Sequence, residues 1–349
     1  MKIVFYTNIV SPHQIPLARE IVKFVGCEKY RYVYSEIFHV ERQKMGWTPE
    51  SESWIVSMER DPHLAHELLE NSEILILGHR DLALIERRSI KGLKTYYASE
   101  RWFKPVGVRV CLHKRIYLPG RLRMLVPSYR KMVRLFVSLA NKFESFQLMP
   151  YGEWARQDFL DMGIPDNKIK TWGYCVAASF AAKSTDRRTH SPFKLLWVGR
   201  MIDWKKVDTL IKAVRLCPSV SLTLVGDGPE KTRLQKMAEG LNVCFMDNVP
   251  IEEVRHLMRS HDMYALCSNG AEGWGAALNE AMEEDMYVVG TNEAGASATM
   301  LPKTHRFPAG DFHALSNLIK QASQGNLPKI PIGEWSARQT AERLLEICR

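Results

Sequence analysis

Residues 262–296 read DMYALCSNGAEGWGAALNEAMEEDMYVVGTNEAGA, and their order decides how the second half of the chain folds. Met263–Leu266 is an apolar run of strand length, a glycine-bearing loop follows, and Ala276–Glu284 is built of strong helix formers without Gly or Pro. Strand, loop and helix in that order form the repeating unit of parallel α/β sheets. Around Glu272-Gly273-Trp274-Gly275 the backbone can approach a ligand closely, and the free N–H groups of the helix start favour an anion. Glu272 and Glu280, with seven residues between them, flank that point. Both would repel an anion if they faced it, so they read as acceptors for hydroxyl groups. A ligand that carries phosphate and many hydroxyls is a nucleotide sugar. Glutamates at a helix start also complement the helix dipole, so the flanking sequence has to decide between the two readings.

Upstream, Lys194–Val198 reads as a strand closing on Gly199-Arg200, with Lys205 five residues later and a helix over Val207–Leu216. Arg200 through a forked contact and Lys205 as a point charge can reach one diphosphate. Val220–Val225 is a further strand, followed by the turn Gly226-Asp227-Gly228-Pro229 and a helix over Glu230–Glu239. A strand over Val243–Met246 and a helix over Ile251–Arg259 lead back to the opening stretch, and Val289–Gly295 supplies one more strand and loop.

In this order, Gly-Arg-x4-Lys, Val-Gly-x-Gly-Pro and Glu-Gly-Trp-Gly with its later Glu resemble the donor domain of the family-4 retaining glycosyltransferases, over about residues 194–347. The resemblance implies an α/β chain of GT-B fold: two Rossmann-like, doubly wound parallel-sheet domains facing a central cleft. It implies a nucleotide sugar on the second domain and an acceptor on the first. Carried over position by position, Arg200 and Lys205 hold the diphosphate and Gly228 lies in the donor-side glycine turn. Glu280 accepts from the ribose, while Glu272 and the turn Gly273, Trp274, Gly275 and Ala276 grip sugar and phosphate. The expected chemistry is transfer with retention, stabilised by Arg200 and Lys205 at the leaving oxygen. No Asp-x-Asp motif stands ready for a metal, so the reaction is expected to be metal-independent, with no cofactor beyond the UDP- or GDP-sugar donor. Asp247 departs from the Gly often found in the family's base-binding loop, which leaves the base open.

The first half alternates in the same way. Lys2–Thr7, Tyr30–Tyr34, Glu73–Gly78 and Thr95–Ala98 read as strands, and helices are expected after Asn8–His13 and around Pro62–Glu70. Ligands gather at the carboxyl ends of such strands, which nominates His13, His79 and Glu100 as catalytic or binding candidates. Ser11-Pro12-His13 lacks the paired glycines common in the family, and no His-x-His motif is present. Ser99-Glu100-Arg101 and Trp172-Gly173-Tyr174 resemble members that build bacterial surface polysaccharides.

A chain of 349 residues suits two domains. Expected bounds are 1–176 for the acceptor domain, 177–192 for a small-residue polar linker, 193–335 for the donor domain, and 336–349 for a helix that crosses back onto the first. Seven scattered cysteines without a Cys-x-x-Cys pair read as reduced thiols. No run approaches the roughly 20 apolar residues of a spanning helix, and a strand beginning at Lys2 leaves no room for a signal peptide, so a cytoplasmic protein is expected. Between Arg101 and Lys142 lie eleven Lys or Arg and no Asp or Glu, more than the whole net charge of +9. Interleaved with Tyr117, Tyr129 and Phe136, this stretch is expected to dock peripherally on an anionic membrane and to bring the enzyme to a glycan or polyprenyl-diphosphate-linked acceptor. Two rival readings are a GT-B-fold epimerase or hydrolase and a basic nucleic-acid binder. The latter explains residues 101–142 alone, and no nucleic acid is expected.

Overall fold

Two six-stranded parallel sheets organise the computed structural model, which describes residues 2–11, 13–36, 52–104, 107–109, 117–176 and 192–349. The strands are β1 Ile3–Thr7, β2 Tyr30–Tyr34, β3 Ile55–Ser57, β4 Ile74–Leu77, β5 Lys94–Ser99, β6 Gly107–Arg109, β7 Tyr117–Pro119 and β8 Phe146–Pro150. They continue with β9 Phe193–Val198, β10 Val220–Val225, β11 Val243–Met246, β12 Met263–Leu266, β13 Tyr287–Thr291 and β14 Arg306–Phe307. One sheet has the order β3-β2-β1-β4-β5-β8 and the other β11-β10-β9-β12-β13-β14; β6 and β7 form a separate antiparallel ribbon. Both large sheets therefore start at a central strand, wind outward on one side and then on the other. That is the doubly wound, Rossmann-like order.

The chain divides into two compact units. The first takes the described residues up to Cys175 together with Ala337–Arg349, and the second takes Val176–Ser336. In the first unit the helix Ala337–Cys348 packs on the helix Ile15–Val25. Its end is tied to β5, where Lys94 Nζ donates to Cys348 O at 2.8 Å and Tyr96 Oη to Ile347 O at 2.9 Å. The linker expected at 177–192 lies outside the described residues apart from Pro192. The described cysteines are free thiols.

The central strands explain why periodicity locates them. β1, β4 and β12 are buried along their whole length, as a parallel sheet covered on both faces requires. Several elements had no expectation attached, among them β3, β8, β14 and the helices Leu82–Ile90, Glu153–Asp161 and Phe312–Ser323. In the helix Leu82–Ile90, Arg88 is fully buried beside Ile85, and its guanidinium donates to Leu69 O, Ser72 O, Lys94 O and Thr95 Oγ1.

The basic stretch is arranged differently from the membrane-facing helix expected of it. The helix Pro127–Lys142 turns Val133, Phe136, Leu139 and Ala140 into the core, so its apolar face is spent on packing. Arg123 is buried, with Nη1 donating to Trp102 O at 2.9 Å, and Arg121 pairs with Asp161. What remains outside is Arg130, Lys131, Arg134 and Lys142 on the helix, with Leu122, Leu125 and Leu135 exposed. No helix among the described residues is long and apolar enough to cross a membrane.

Candidate functional site

In a doubly wound sheet, the first strand and its neighbour on the far side part company at their carboxyl ends, and a crevice opens there. In the second unit those strands are β9 and β12. The loop after β9 carries Arg200 and, on a short 3-10 turn Asp203–Lys205, Lys205; the loop after β12 carries Ser268 to Ala276. The two loops are joined. Lys205 Nζ donates to Glu272 Oε2, Ser268 Oγ donates to the same oxygen at 2.9 Å, and Asn269 N donates to Trp204 O at 2.9 Å. Lys205 and Glu272 are mostly buried, so their charges are held in place as well as matched. Arg200 is exposed and has no ion-pair partner among the described residues, which leaves its forked donors open to an anion.

The glycine turn after β10 meets the same place for a backbone reason. A Cβ on Gly226 would lie 1.9 Å from Gly199 O, and one on Gly228 would lie 2.4 Å from Met201 O, at φ of 137° and 155°. Met201 N donates to Asp227 O at 2.8 Å, so the loops after β9 and β10 are zipped together. Contact between these loops is sufficient reason for glycine at Gly228.

The Glu-Gly-Trp-Gly turn divides its labour between backbone and side chain. The Trp274 indole is buried against Trp335, with ring centroids 5.6 Å apart, and its Nε1 donates to Asn279 Oδ1 at 2.7 Å. It anchors the turn from inside the unit. Gly275 takes φ of 101° and opens the backbone into Ala276 and the helix Ala277–Glu283. That helix has only seven residues, shorter than expected, so its dipole adds little and the charge of an anion falls to the cations. Gly273 faces the next loop, where a Cβ on Gly295 would meet Gly273 O at 2.1 Å.

Glu280 sits in the first helical turn, 7% exposed. Burial pushes its carboxyl up to about 7; Arg255 opposes the shift and Glu284 adds to it. Arg255 is itself engaged, with Nε 2.8 Å from Glu284 Oε1. Strand-end reasoning could have nominated Ser268 and Asn269, which directly follow β12. Arg255 and Glu284 carried no such signal, because their role depends on how two helices pack.

In the first unit the switch point lies between β1 and β4. A cavity of about 310 Å³ opens there, lined among others by Thr7, Ser11, His13, Glu100, Tyr151 and Tyr174. His13 and Glu100 are thus brought to one cavity. His79 is exposed outside this lining, with its ring beside Tyr6 at 6.1 Å. His13 packs edge-on to Tyr174, and burial lowers its pKa to about 4, so the imidazole is neutral at pH 7.

A family model described as "Glycosyl transferases group 1" matches residues 182–329, which include every β-strand of the second sheet. The matched segment is less than half of the chain, and likenesses to solved structures extend over the rest. Amylovoran biosynthesis glycosyltransferase AmsK of Erwinia amylovora is 26% identical over 201 residues, covering 53% of this chain and 49% of that protein. An uncharacterized glycosyltransferase of Methanocaldococcus jannaschii is 28% identical over 127 residues, covering 34% and 32%. The chain thus spans half or less of the length of these curated relatives. Among solved structures, HepE of Anabaena in complex with UDP superposes with a TM-score of 0.65 at 16% identity, covering 99% of both chains. The lipopolysaccharide outer core galactosyltransferase WaaB gives 0.66 at 14%, covering 99% and 98%. The structural likenesses establish the GT-B fold, and the segment matched by the family model holds its second Rossmann-like half.

Proposed function

We infer that this protein is a retaining, metal-independent glycosyltransferase of surface polysaccharide synthesis. It moves a sugar from a UDP- or GDP-linked donor to a glycan or a polyprenyl-diphosphate-linked acceptor, on the cytoplasmic face of the membrane. The observation that carries this reading is the Lys205–Glu272 pair, which joins the loops after β9 and β12 at the switch point of the second sheet, with Arg200 exposed on the same loop as Lys205. The names of AmsK and WaaB support the polysaccharide context, and UDP in HepE supports a uridine donor.

In the proposed reaction the bond between the anomeric carbon and the diphosphate oxygen breaks, and a bond to the acceptor oxygen forms on the same face. The acceptor proton passes to the leaving phosphate. Arg200 and Lys205 offset the charge that grows on the leaving oxygen, and Glu280 accepts from ribose hydroxyls. Because Lys205 is already held by Glu272, its ammonium need not be ordered as the reaction proceeds. Calorimetry with UDP and GDP is the direct test, and absence of binding by both would sink the donor assignment. Turnover in excess EDTA and the anomeric configuration of the product check the remaining two terms.

Peripheral docking is assigned, among the residues left outside, to Arg130, Lys131, Arg134 and the leucines 122, 125 and 135. Arg130→Gln with Arg134→Gln should cost about 2 kcal/mol of binding to anionic vesicles at about 1 kcal/mol per basic residue, or roughly 30-fold in partitioning. Co-sedimentation measures it. Equal sedimentation of the wild type with neutral and anionic vesicles would exclude electrostatic docking.

A further inference from the structure

We propose that the cavity at the carboxyl ends of the first sheet is a subsite for an uncharged sugar, which it selects over phosphorylated and acidic ligands. Its occupant, on the transferase reading above, is the sugar of the acceptor. The selection follows from what the walls lack and what they offer.

Among the described residues the lining contains no Lys or Arg. Its carboxylate, Glu100, is matched from outside the lining, where Lys104 Nζ lies 2.6 Å from Oε2. His13 is neutral, since burial holds its pKa near 4, and burial raises the Tyr151 phenol to about 12. A phosphate or uronate brought here would leave water without gaining a counter-charge, which is the costly way to bury an ion. The second unit differs in kind, because Arg200 and Lys205 are placed there to meet a diphosphate.

A sugar hydroxyl both donates and accepts, and the cavity offers both functions. Ser11 presents a hydroxyl, Asn8 an amide, and Glu100 a carboxylate, while the Ser99 hydroxyl is taken up by Glu100 O and Trp102 Nε1. Two aromatic rings stand in the lining. The Tyr151 and Tyr174 rings stack at 4.4 Å and 12°, the surface that suits the C–H face of a pyranose. Tyr151 is fixed before any ligand arrives. Gln14 Nε2 donates to Tyr151 Oη at 3.2 Å, Tyr32 Oη donates to Gln14 Oε1, and Tyr32 and Thr7 hydroxyls lie 2.9 Å apart. The neighbouring loop is fixed as well, since Asp158 Oδ2 accepts from Trp102 N at 2.8 Å and Phe103 N at 2.9 Å, pinning the stretch that begins at Glu100. At about 310 Å³ the cavity is at the lower end of small-molecule sites, roughly 300–1,000 Å³.

Saturation-transfer NMR on the full chain tests this, with UDP saturating the second unit. The uncharged probes are methyl glycosides of glucose, galactose and mannose; the charged probes are methyl glucuronide and glucose 1-phosphate. At least one methyl glycoside should show transfer, reduced at least tenfold by Tyr174→Ala and by Glu100→Gln, and neither charged probe should show transfer sensitive to Tyr174→Ala. No transfer to any methyl glycoside, transfer unaffected by both substitutions, or Tyr174-dependent transfer to a charged probe would each overturn the assignment. UDP affinity, measured on the same proteins by calorimetry, reports on the second unit. Its absence would remove the transferase reading, whereas loss of the sugar signal with UDP affinity intact would remove only the cavity assignment.

Discussion

Lys205→Ala should lower the rate of sugar transfer by about 10²- to 10³-fold, the usual effect of deleting one preorganised donor at a developing oxyanion. Two losses combine. The ammonium that offsets charge on the leaving diphosphate is gone, and Glu272, whose side chain is 14% exposed, loses its counter-ion while facing an incoming anion. Ser268 still donates to Glu272 but brings no charge. The two losses can be separated. Adding Glu272→Gln to Lys205→Ala should restore UDP affinity, because the repulsion is removed, and should leave turnover low, because the cation is still missing. Arg200→Ala should behave more simply, weakening UDP far more than uridine. Turnover of Lys205→Ala within a few-fold of wild type would show that the Lys205–Glu272 pair only braces the two loops.

Sequence periodicity locates an element when its buried side chains are apolar, and it misleads when they are not. β1, β4 and β12 are found almost to the residue because whole runs are buried. The helix Leu82–Ile90 is hidden because Arg88 occupies a core position and is satisfied by carbonyls that no local pattern announces. β3 spans only Ile55–Ser57, too short for an alternation to register. Around Arg121–Leu125 the usual inference runs backwards, with Arg123 inside and Leu122 and Leu125 outside. In the site, strand ends and glycine turns were legible because doubly wound sheets place ligands there. The Lys205–Glu272 pair joins residues far apart in the chain, and the charge state of Glu280 depends on a neighbouring helix. Neither could be read from spacing.

That charge state carries the second large prediction. The folded pKa of Glu280, about 7, lies above its ordinary value of 4.5, so folding favours the protonated carboxyl. The stability this gives is complete below pH 4.5 and is lost as pH rises to 7. At about 1.4 kcal/mol per pH unit the loss is about 3 kcal/mol. His13 acts in the opposite sense, its folded pKa of about 4 lying below 6.5, so stability falls as pH drops through that window. The wild-type profile mixes the two, and the comparison with Glu280→Gln isolates one. The variant should match wild type near pH 4.5 and exceed it by about 3 kcal/mol at pH 8, as read by urea unfolding. Nucleotide binding should show the mirror image. A carboxylate accepts from two ribose hydroxyls better than a carboxylic acid does, so UDP affinity of the wild type should rise with pH through 7 and that of Glu280→Gln should not. Burial sets the position of the step, and Arg255 and Glu284 adjust it, since the first attracts and the second repels the ionised form. A stability difference between the two proteins that stays constant from pH 4.5 to 8 would mean that Glu280 is ionised throughout, and the pH dependence of donor binding would then have to arise elsewhere.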